Sequence, residues 1–341
     1  MFFSLLSTMR NSALYRIALC FVCLMILIVF DLLTGPSGMT LHQVIVTLLE
    51  GPNGDNKAFS TIIWLIRLPQ TLTAIAVGFC LGYAGLMMQT ILANPLASPY
   101  TLGFSAAAGF GAALSILFGA SLPIAVWILV PVSAFASTLL ACAIIYAIAH
   151  LKGSHSEILV LAGIAVLFFF QSLQSLLQYL AAPEVLQQIV FWLFGSLLKA
   201  NWTSVWVITA ILAVTLPFSL KEVWNLTTLR LGDDNAASLG LNVNALRKRI
   251  FIHVALLTAA AVSFTGTIGF IGLISPHVSR AIVGEDHRYS LLLSGMIGSI
   301  LLVSASILSK TISAGAVIPV GIITAIVGVP MLLIVILKKQ G

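Results

Sequence analysis

The chain has 341 residues, of which 60% are hydrophobic and 8% are charged, and its mean hydropathy is +1.12. Because a soluble domain carries about a quarter of charged residues, this composition excludes a soluble globular domain and indicates an integral membrane protein. The net charge of +6 follows from basic residues in short loops, as membrane topology requires, and it gives a nucleic-acid partner little support.

Apolar blocks predict about ten transmembrane helices, since one span needs roughly 20 apolar residues. The first block resembles a secretory signal, but Asp31-Leu32-Leu33 follows it instead of a small-residue cleavage site, so we expect a retained span. The fold class is therefore all-α and polytopic, with both termini on one side. The predicted spans cover residues 17–33, 62–91, 102–118, 122–148, 158–180, 203–220, 250–265, 270–283, 290–308 and 318–337.

The distribution of Lys and Arg predicts which side is cytoplasmic, because short cytoplasmic loops are rich in these residues. With the N-terminus inside, the cytoplasmic side carries Arg10, Arg16, Lys152, Lys221, Arg230, Arg247, Lys248, Arg249, Arg280, Arg288, Lys338 and Lys339. The outer side then carries Lys57, Arg67, Lys199 and Lys310. This asymmetry predicts that both termini are cytoplasmic.

Two prolines break the apolar pattern in the sequence Asn94-Pro95-Leu96-Ala97-Ser98-Pro99. Proline ends helices and disfavours helical geometry in the preceding residue. We expect a tight cytoplasmic turn here.

The fifth span carries polar residues at three- and four-residue spacing, which places them on one helical face. They are Gln171, Gln174, Ser175 and Gln178. Such a stripe could line a path for a polar substrate, or it could hold helices together by hydrogen bonds worth about 0.6 to 2 kcal/mol each.

The longest cytoplasmic loop, residues 221–249, contains the signals of a short helix. Asp233 is a candidate N-cap, Asp234 suits the positive N-terminal end, and Gly240 suits a left-handed C-cap. A helix of about two turns is unstable alone, so it must pack against a protein partner or against the loop itself. The basic run 247–249 is predicted to be a membrane-flanking anchor for the next span rather than a binding patch.

The stretch Gly266 to Arg280 reads GTIGFIGLISPHVSR and places glycines and a Pro-His pair inside an apolar region. Irregular backbone at membrane depth is tolerated where protein or water covers it, so residues 266–272 are predicted to form a buried re-entrant corner. Close helix packing through small residues is the alternative.

In the last span, Gly321, Ala325 and Gly328 share one face, which suits close contact with another helix, and a second subunit is the natural partner.

These motifs together resemble the FecCD-type permeases, the membrane subunits of ABC importers for ferric siderophores, haem and cobalamin. The matching residues run from about residue 60 to the C-terminus in the order of that family. They are Arg67-Leu68-Pro69, Gly85, Gln89, Asn94 to Ala97, Pro99, Leu102-Gly103, Leu231-Gly232-Asp233, Leu239-Gly240, Gly266, Gly269, Gly272, Pro276, His277, Pro319 to Gly321, Thr324-Ala325, Gly328 and Pro330.

The resemblance implies a type II ABC importer permease of inverted-repeat architecture, with one transmembrane domain over residues 1–341. It implies that Leu231, Gly232, Asp233, Asp234, Ala236, Leu239 and Gly240 couple to an ATPase. It also implies a second permease subunit, two cytoplasmic ATPase subunits and a periplasmic or lipid-anchored binding protein. Arg67 and Lys310 would form the docking site for the binding protein. Interfacial snorkelling of these two cations is the alternative. The chain departs from the family pattern at Gln70, Ala93, Ser306 and Val317, which puts the docking pattern and the outer gate in doubt.

No catalytic residues, metal site or bound cofactor is predicted. The four cysteines, Cys20, Cys23, Cys80 and Cys142, lie inside predicted spans, where packing is the usual role. His277 has no cluster of ligands around it in the sequence, so a hydrogen-bonded core histidine is the better interpretation. The pattern GxxxxGK[ST] is absent from the sequence, and ATP with Mg²⁺ is therefore expected to act in a partner ATPase.

The predicted function is the permease of an ATP-driven importer of ferric siderophores in a bacterial inner membrane, working by alternating access. Haem or cobalamin import is the alternative within this class. An ion-coupled secondary carrier is a second alternative, which the scarcity of acidic residues in the spans disfavours, since Asp31 is the one candidate. A membrane scaffold without transport is a third, and it leaves the polar stripe and the capped helix without a common purpose.

Overall fold

The described residues form helices that are joined by short turns and irregular segments. A computed structural model describes residues 2–119, 125–152, 155–312 and 317–338, and these ranges contain no β-strand. Their α-helices are, in order, α1 (Phe2–Leu33), α2 (Leu41–Glu50), α3 (Lys57–Ser60), α4 (Leu68–Ile91), α5 (Phe104–Phe118), α6 (Val126–Lys152), α7 (Ser156–Leu180), α8 (Pro183–Leu193), α9 (Trp202–Lys221), α10 (Val223–Leu229), α11 (Asp233–Ser238), α12 (Val243–Thr265), α13 (Ile271–Val283), α14 (His287–Thr311) and α15 (Val320–Lys338). A π-helical segment, Thr61–Arg67, joins α3 to α4, and a 3₁₀ turn, Pro99–Leu102, precedes α5.

Each predicted span overlaps one of these helices, although residues 122–124 of the fourth predicted span lie outside the described residues. Over the described residues, seven helices are long and apolar enough to cross a membrane, namely α1, the continuous helix Lys57–Ile91, α6, α7, α9, α12 and α14. The other three predicted spans are the shorter apolar helices α5, α13 and α15. The prediction of an all-α polytopic membrane protein is confirmed. The apolar pattern does not predict α2 or α8, because both are too short to stand out as spans.

Helix α4 lies at the centre of the bundle and is buried along nearly its whole length. Three of its glycines touch neighbouring backbones directly. A Cβ on Gly85 would lie 1.9 Å from the carbonyl oxygen of Gly272 in α13, and one on Gly78 would lie 2.4 Å from that of Gly298 in α14. Between these two points, Gly82 accepts a hydrogen bond of 2.7 Å from the hydroxyl of Ser294 in α14. Because these three glycines have no side chains, α4 can lie in direct backbone contact with α13 and α14.

The two ends of the bundle differ in their number of Lys and Arg residues. We call the part that contains residues 92–98, 221–249 and 284–288 the basic end. The part where the ends of α1 and α14 meet the start of α4 is called the opposite end. The charge asymmetry predicts that the basic end is cytoplasmic.

Residues 266–270 interrupt the helical pattern between α12 and α13, and protein covers their backbone. Gly266 has a φ of 73° and lies against the carbonyl oxygen of Trp192, where a Cβ would be 2.1 Å away. The Ile268 amide donates to the hydroxyl of Tyr100 at 2.9 Å. Phe270 also adopts a left-handed conformation, with a φ of 67°. The segment thus has protein partners for its backbone, as irregular structure at membrane depth requires.

The turn after α4 has the geometry that its two prolines predict. The amide of Ala93 donates to the Thr90 carbonyl at 3.2 Å and that of Asn94 to the Gln89 carbonyl at 3.1 Å, which is a Schellman motif. Ala93 occupies its left-handed position with a φ of 48°. The Asn94 side chain then accepts from the Leu96 amide at 2.9 Å, and Pro99 opens the 3₁₀ turn.

We expect Gly85→Ala to lower the free energy of unfolding by about 1–3 kcal/mol, the usual cost of overpacking a well-packed core. The new methyl would collide with the Gly272 carbonyl, which a helix backbone holds in place. Thermal unfolding of the detergent-solubilised protein measures the effect. The matched control is Gly269→Ala, because no atom lies within 4 Å of a Cβ at that position. Equal stability of the two variants would contradict the role of the close contact.

Candidate functional site

The segment from Leu231 to Gly240, which we call the α11 segment, is exposed at the basic end. Leu231 is 57% exposed and Leu239 is 68% exposed, while Ala236 is buried and holds the segment against the bundle. Gly240 adopts a φ of 86° and ends the helix, as the sequence predicts. The arrangement displays two leucines outside the apolar core of the protein.

Asp233 does not cap α11, contrary to the prediction. Gly232 occupies the N-cap position without a side-chain hydrogen bond. The Asp233 carboxylate instead accepts two hydrogen bonds of 2.8 Å from the guanidinium of Arg247. The bidentate pair gives the carboxylate two charge-assisted bonds of defined geometry, whereas a cap gives one, and the carboxylate accordingly lies against α12.

Arg247 is the largest fully buried side chain among the described residues, with 2% of its surface exposed. Besides the pair with Asp233, its Nε donates to the carbonyl oxygen of Ile91 at 2.8 Å. That oxygen belongs to the last turn of α4, where helix carbonyls lack intrahelical partners and favour a cation. Arg247 therefore joins the α11 segment to the central helix, and it is more than a membrane-flanking charge.

The two basic residues after Arg247 have separate contacts. Lys248 donates to the Nδ1 atom of His150 at 3.1 Å. Arg249 donates to the Glu222 carboxylate at 2.7 and 3.3 Å. Burial raises the pKa of the Glu222 carboxyl, but hydrogen bonds from Arg249 and Asn225 and the charge of Arg249 outweigh it, so that the net pKa is lowered. The run 247–249 thus connects α12 to α4, α6, α11 and the junction between α9 and α10.

A second ionic connection starts at Arg230, the residue before the α11 segment. Arg230 pairs with Glu285 at 2.8 Å, and Glu285 lies 3.8 Å from Arg280 of α13. Arg280 donates in turn to the side-chain oxygen of Gln89 in α4 at 2.6 Å. His277 lies beside Arg280 at 3.4 Å, and no group of three or more potential metal-ligating side chains occurs in the described parts of the chain. This network reaches the same last turn of α4 by another path.

The polar stripe of α7 is partly exposed on the single chain. Gln171 and Ser175 are exposed, whereas Gln174 and Gln178 are half-buried. The oxygen of Gln174 lies where a Cβ on Gly109 of α5 would come within 2.3 Å. Ser175 donates to the Gln171 carbonyl at 2.9 Å. The stripe therefore combines two half-buried residues with two exposed ones.

Arg67 and Lys310 lie at the opposite end and both have partners inside the protein. Arg67 is 4% exposed and donates to the Leu32 carbonyl at 2.6 Å and to the Ser37 hydroxyl at 2.5 Å. Lys310 donates to the Asp31 carboxylate at 2.8 Å, and Asp31 is fully buried. Thus the two cations hold α1 against α4 and α14. Their predicted role in docking stays a prediction and would require these bonds to open.

Three of the four departures from the family pattern meet in one small cavity at this end. Gln70, Ser306 and Val317 line it together with Lys310, and its volume is about 10 Å³. All three side chains are uncharged and therefore cannot form an ion pair with Lys310. Its acidic partner is Asp31. The fourth departure, Ala93, occupies the left-handed position after α4.

The glycines of α15 make contacts that differ from the prediction. A Cβ on Gly321 would lie 2.2 Å from the Phe194 carbonyl oxygen, and one on Gly328 would lie 2.5 Å from the side chain of Phe270. The small face of α15 thus packs against its own chain at Gly321 and Gly328. The exposed apolar residues of α15 include Ile326, Val327, Val329, Leu333 and Leu337. Pro276 and Pro330 lie inside α13 and α15, and Pro319 directly precedes α15.

Arg247 is the functional candidate that the sequence pattern does not single out, yet a signal exists. It stands on the same face of α12 as Leu246, Ile250, Phe251 and Val254, which are buried. An arginine on the apolar stripe of a helix needs a buried partner, and that rule identifies the position without naming the partner.

The sequence and the fold of this chain are similar to those of known transport proteins. A sequence model of the FecCD transport family matches residues 23–338. The hemin transport system permease protein HmuU of Yersinia pestis is 37% identical over 82% of this chain and 84% of its own. The iron-uptake system permease protein FeuC of Bacillus subtilis (strain 168) is 32% identical over 95% of this chain and 98% of its own. A solved structure described as a metal-chelate type ABC transporter, in an inward-facing conformation, matches with a TM-score of 0.84 at 28% identity, over 94% of this chain and 98% of its own.

We expect Asp31→Asn to lower the free energy of unfolding by about 3–5 kcal/mol, because it leaves the buried charge of Lys310 without a partner. The double variant Asp31→Asn with Lys310→Met removes both charges and should regain most of the loss. Thermal unfolding in detergent measures both. Lys199→Met is the control, since Lys199 is exposed. A double variant as unstable as the single one would show that the ion pair does not hold α1.

Proposed function

The chain belongs to the FecCD transport family, and on this premise we propose that it is the permease subunit of an ATP-driven ABC importer for ferric-siderophore complexes. The observation that carries the proposal is the α11 segment, which displays exposed leucines at the basic end and is fastened to the central helix by a buried arginine. The permease domain extends over residues 1–341 of a bacterial inner-membrane protein with both termini in the cytoplasm.

The α11 segment is the surface on which a cytoplasmic ATPase subunit docks. Leu231 and Leu239 are apolar and exposed, so that burial under a protein partner would remove their surface from water. Asp234 adds a charge next to them at the helix N-terminus. In a symmetric pair of permeases, two ATPase copies would bind two such surfaces, and closure of the ATPase pair on ATP would move both segments together.

A second permease subunit covers the exposed polar and apolar faces of α7 and α15. Gln171 and Ser175 then line the path between the subunits, and Ile326 and Val329 contribute apolar contact area. Two facts support this arrangement: the glycines of α15 are already occupied within the chain, and the outward stripe of α7 needs water or a partner. Alternating access follows when the helices around this path shift.

The cargo is an iron chelate. The similarity of this chain to relatives whose names give iron compounds as cargo supports this proposal. FeuC is an iron-uptake permease by its name, and two further Bacillus subtilis relatives are Fe(3+)-citrate import permeases by theirs. Haem is the alternative, because the relative at 37% identity is a hemin transport permease. The cargo arrives on a periplasmic or lipid-anchored binding protein, for which Arg67 and Lys310 are docking candidates in a state where their internal bonds open.

An ion-coupled carrier has less support. Asp31, the acid that such a mechanism would use, is neutralised by Lys310 and also accepts a hydrogen bond of 2.6 Å from Thr71. A carboxylate that is already paired is a poor binding site for a coupling cation.

The test of function and cargo is uptake of radiolabelled iron in cells that lack this chain and in cells with the chain restored. The iron is offered as a panel of ferric siderophores, beside labelled haem and cobalamin. Restored uptake of one ferric chelate, lost when the partner ATPase is inactivated, is the expected result. Uptake of haem or cobalamin alone would overturn the cargo, and uptake that survives without the ATPase would overturn the ABC mechanism.

We expect Leu239→Asp to abolish ATP-driven uptake while the amount of protein in the membrane stays normal, because a charge replaces exposed apolar surface in the proposed docking site. Co-purification of the ATPase and uptake in whole cells are the two measurements. Leu151→Asp is the matched control, since Leu151 is 80% exposed at the end of α6 and lies outside the α11 segment. Normal uptake by Leu239→Asp would remove the docking assignment.

A further inference from the structure

The last turn of α4 receives two arginine side chains from different parts of the chain. Arg247 donates to the Ile91 carbonyl at 2.8 Å, and Arg280 donates to the side-chain oxygen of Gln89 at 2.6 Å. The C-terminal end of a helix carries partial negative charge and unpaired carbonyls, so both cations are bound where the helix attracts them. The end of the central helix is therefore held from two sides.

Both arginines lead to the α11 segment. Arg247 pairs with Asp233, the first residue of α11. Arg280 lies near Glu285, which pairs with Arg230, the residue directly before the segment. Thus two separate ionic connections join the start of the α11 segment to one turn of α4.

The two connections differ in stiffness. Arg247 is 2% exposed and forms a planar bidentate pair with Asp233, which has a defined direction as well as a distance. The link between Arg280 and Glu285 is 3.8 Å long, and Glu285 is 55% exposed. Exposed pairs of that length are weak and are screened by salt. The connection through Arg247 is the rigid one.

The glycine contacts make α4 the element through which a displacement would spread. Gly85 touches the backbone of α13 and Gly78 touches that of α14. A shift of the α4 end therefore collides with or drags both neighbours, because neither contact has side chains that could absorb it.

We propose that Arg247 is the positioning residue that transmits displacement of the α11 segment to α4, and that Arg280 with Glu285 and Arg230 forms a weaker parallel connection. The inference rests on the proposed function, since it assumes that an ATPase moves the α11 segment. It adds the residues that carry this movement into the membrane.

The first test needs no transport and uses the full-length chain in lipid nanodiscs. Asp233→Asn keeps the size of the side chain but removes its charge, and the residue is half-exposed, so the protein should still fold. We expect amide hydrogen exchange in the peptide that covers residues 89–97 to become about tenfold faster, since an ion-paired bond that holds the helix end is weakened. Glu285→Gln should give a smaller increase. Glu157→Gln, an exposed acid at the first turn of α7, is the control and should give none.

The second test uses the assembled importer and measures the cargo moved per ATP hydrolysed. We expect Asp233→Asn and Arg247→Lys to reduce this ratio about tenfold, because lysine keeps the charge of arginine but lacks its planar fork. Asp233→Glu, which keeps a carboxylate, should restore part of the ratio. A purely structural role of Arg247 would lower the amount of assembled importer and leave the ratio unchanged, and that result would overturn the proposal.

The two tests separate failure of the inference from failure of the proposed function. A wild-type complex without ATP-driven uptake would overturn the function, and the exchange experiment would still decide whether Asp233 controls the end of α4. Unchanged exchange at residues 89–97 in Asp233→Asn would overturn the inference, even in a complex that transports normally.

Discussion

The contact between bare helix backbones around α4 determines the arrangement of the other elements. Gly78, Gly82 and Gly85 bring α4 so close to α13 and α14 that an added Cβ would overlap a carbonyl group at each position. In a membrane, apolar side chains gain little by leaving lipid for protein, so close packing and interhelical hydrogen bonds must hold the helices together. The hydroxyl of Ser294 adds such a bond to the same contact.

Ionic contacts at both ends of the bundle complete what packing begins. At the opposite end, Asp31 and Lys310 join α1 to α14 across 279 positions of sequence. At the basic end, Arg247 joins α12, the α11 segment and the last turn of α4. Asp31 and Arg247 are buried and the Lys310 side chain is 10% exposed, whereas Asp233 is half-exposed, so that removal of one partner of the pair of Asp31 and Lys310 would leave a charge without compensation. The apolar middle of the bundle is thus enclosed between two sets of directional polar contacts, and the exposed α11 segment is attached to one of them.

Other parts of the chain also cover the irregular segment between α12 and α13. Residues 266–270 remain non-helical because Tyr100 and the backbone near Trp192 cover them. Gly321 and Gly328 bring α15 against the same region. A displacement at the basic end can therefore reach the irregular segment through α4 and α13, and from there α15, whose outer face is proposed to meet the second subunit.

The sequence by itself determined the class of protein, the helices that span the membrane and the places where they break. These properties depend on composition, on apolar runs and on proline and glycine, all of which act locally. Only the tertiary structure decided the partners of the polar residues. The local pattern made Asp233 a helix cap and made Arg67 and Lys310 outward cations, whereas folding brought Arg247 to Asp233 and gave the two cations internal acceptors. Folding likewise placed Gly321 against the backbone of Phe194 in its own chain. The reason is physical: a buried charge or a bare backbone is satisfied by whichever group packing brings near, and here that group lies up to hundreds of residues away.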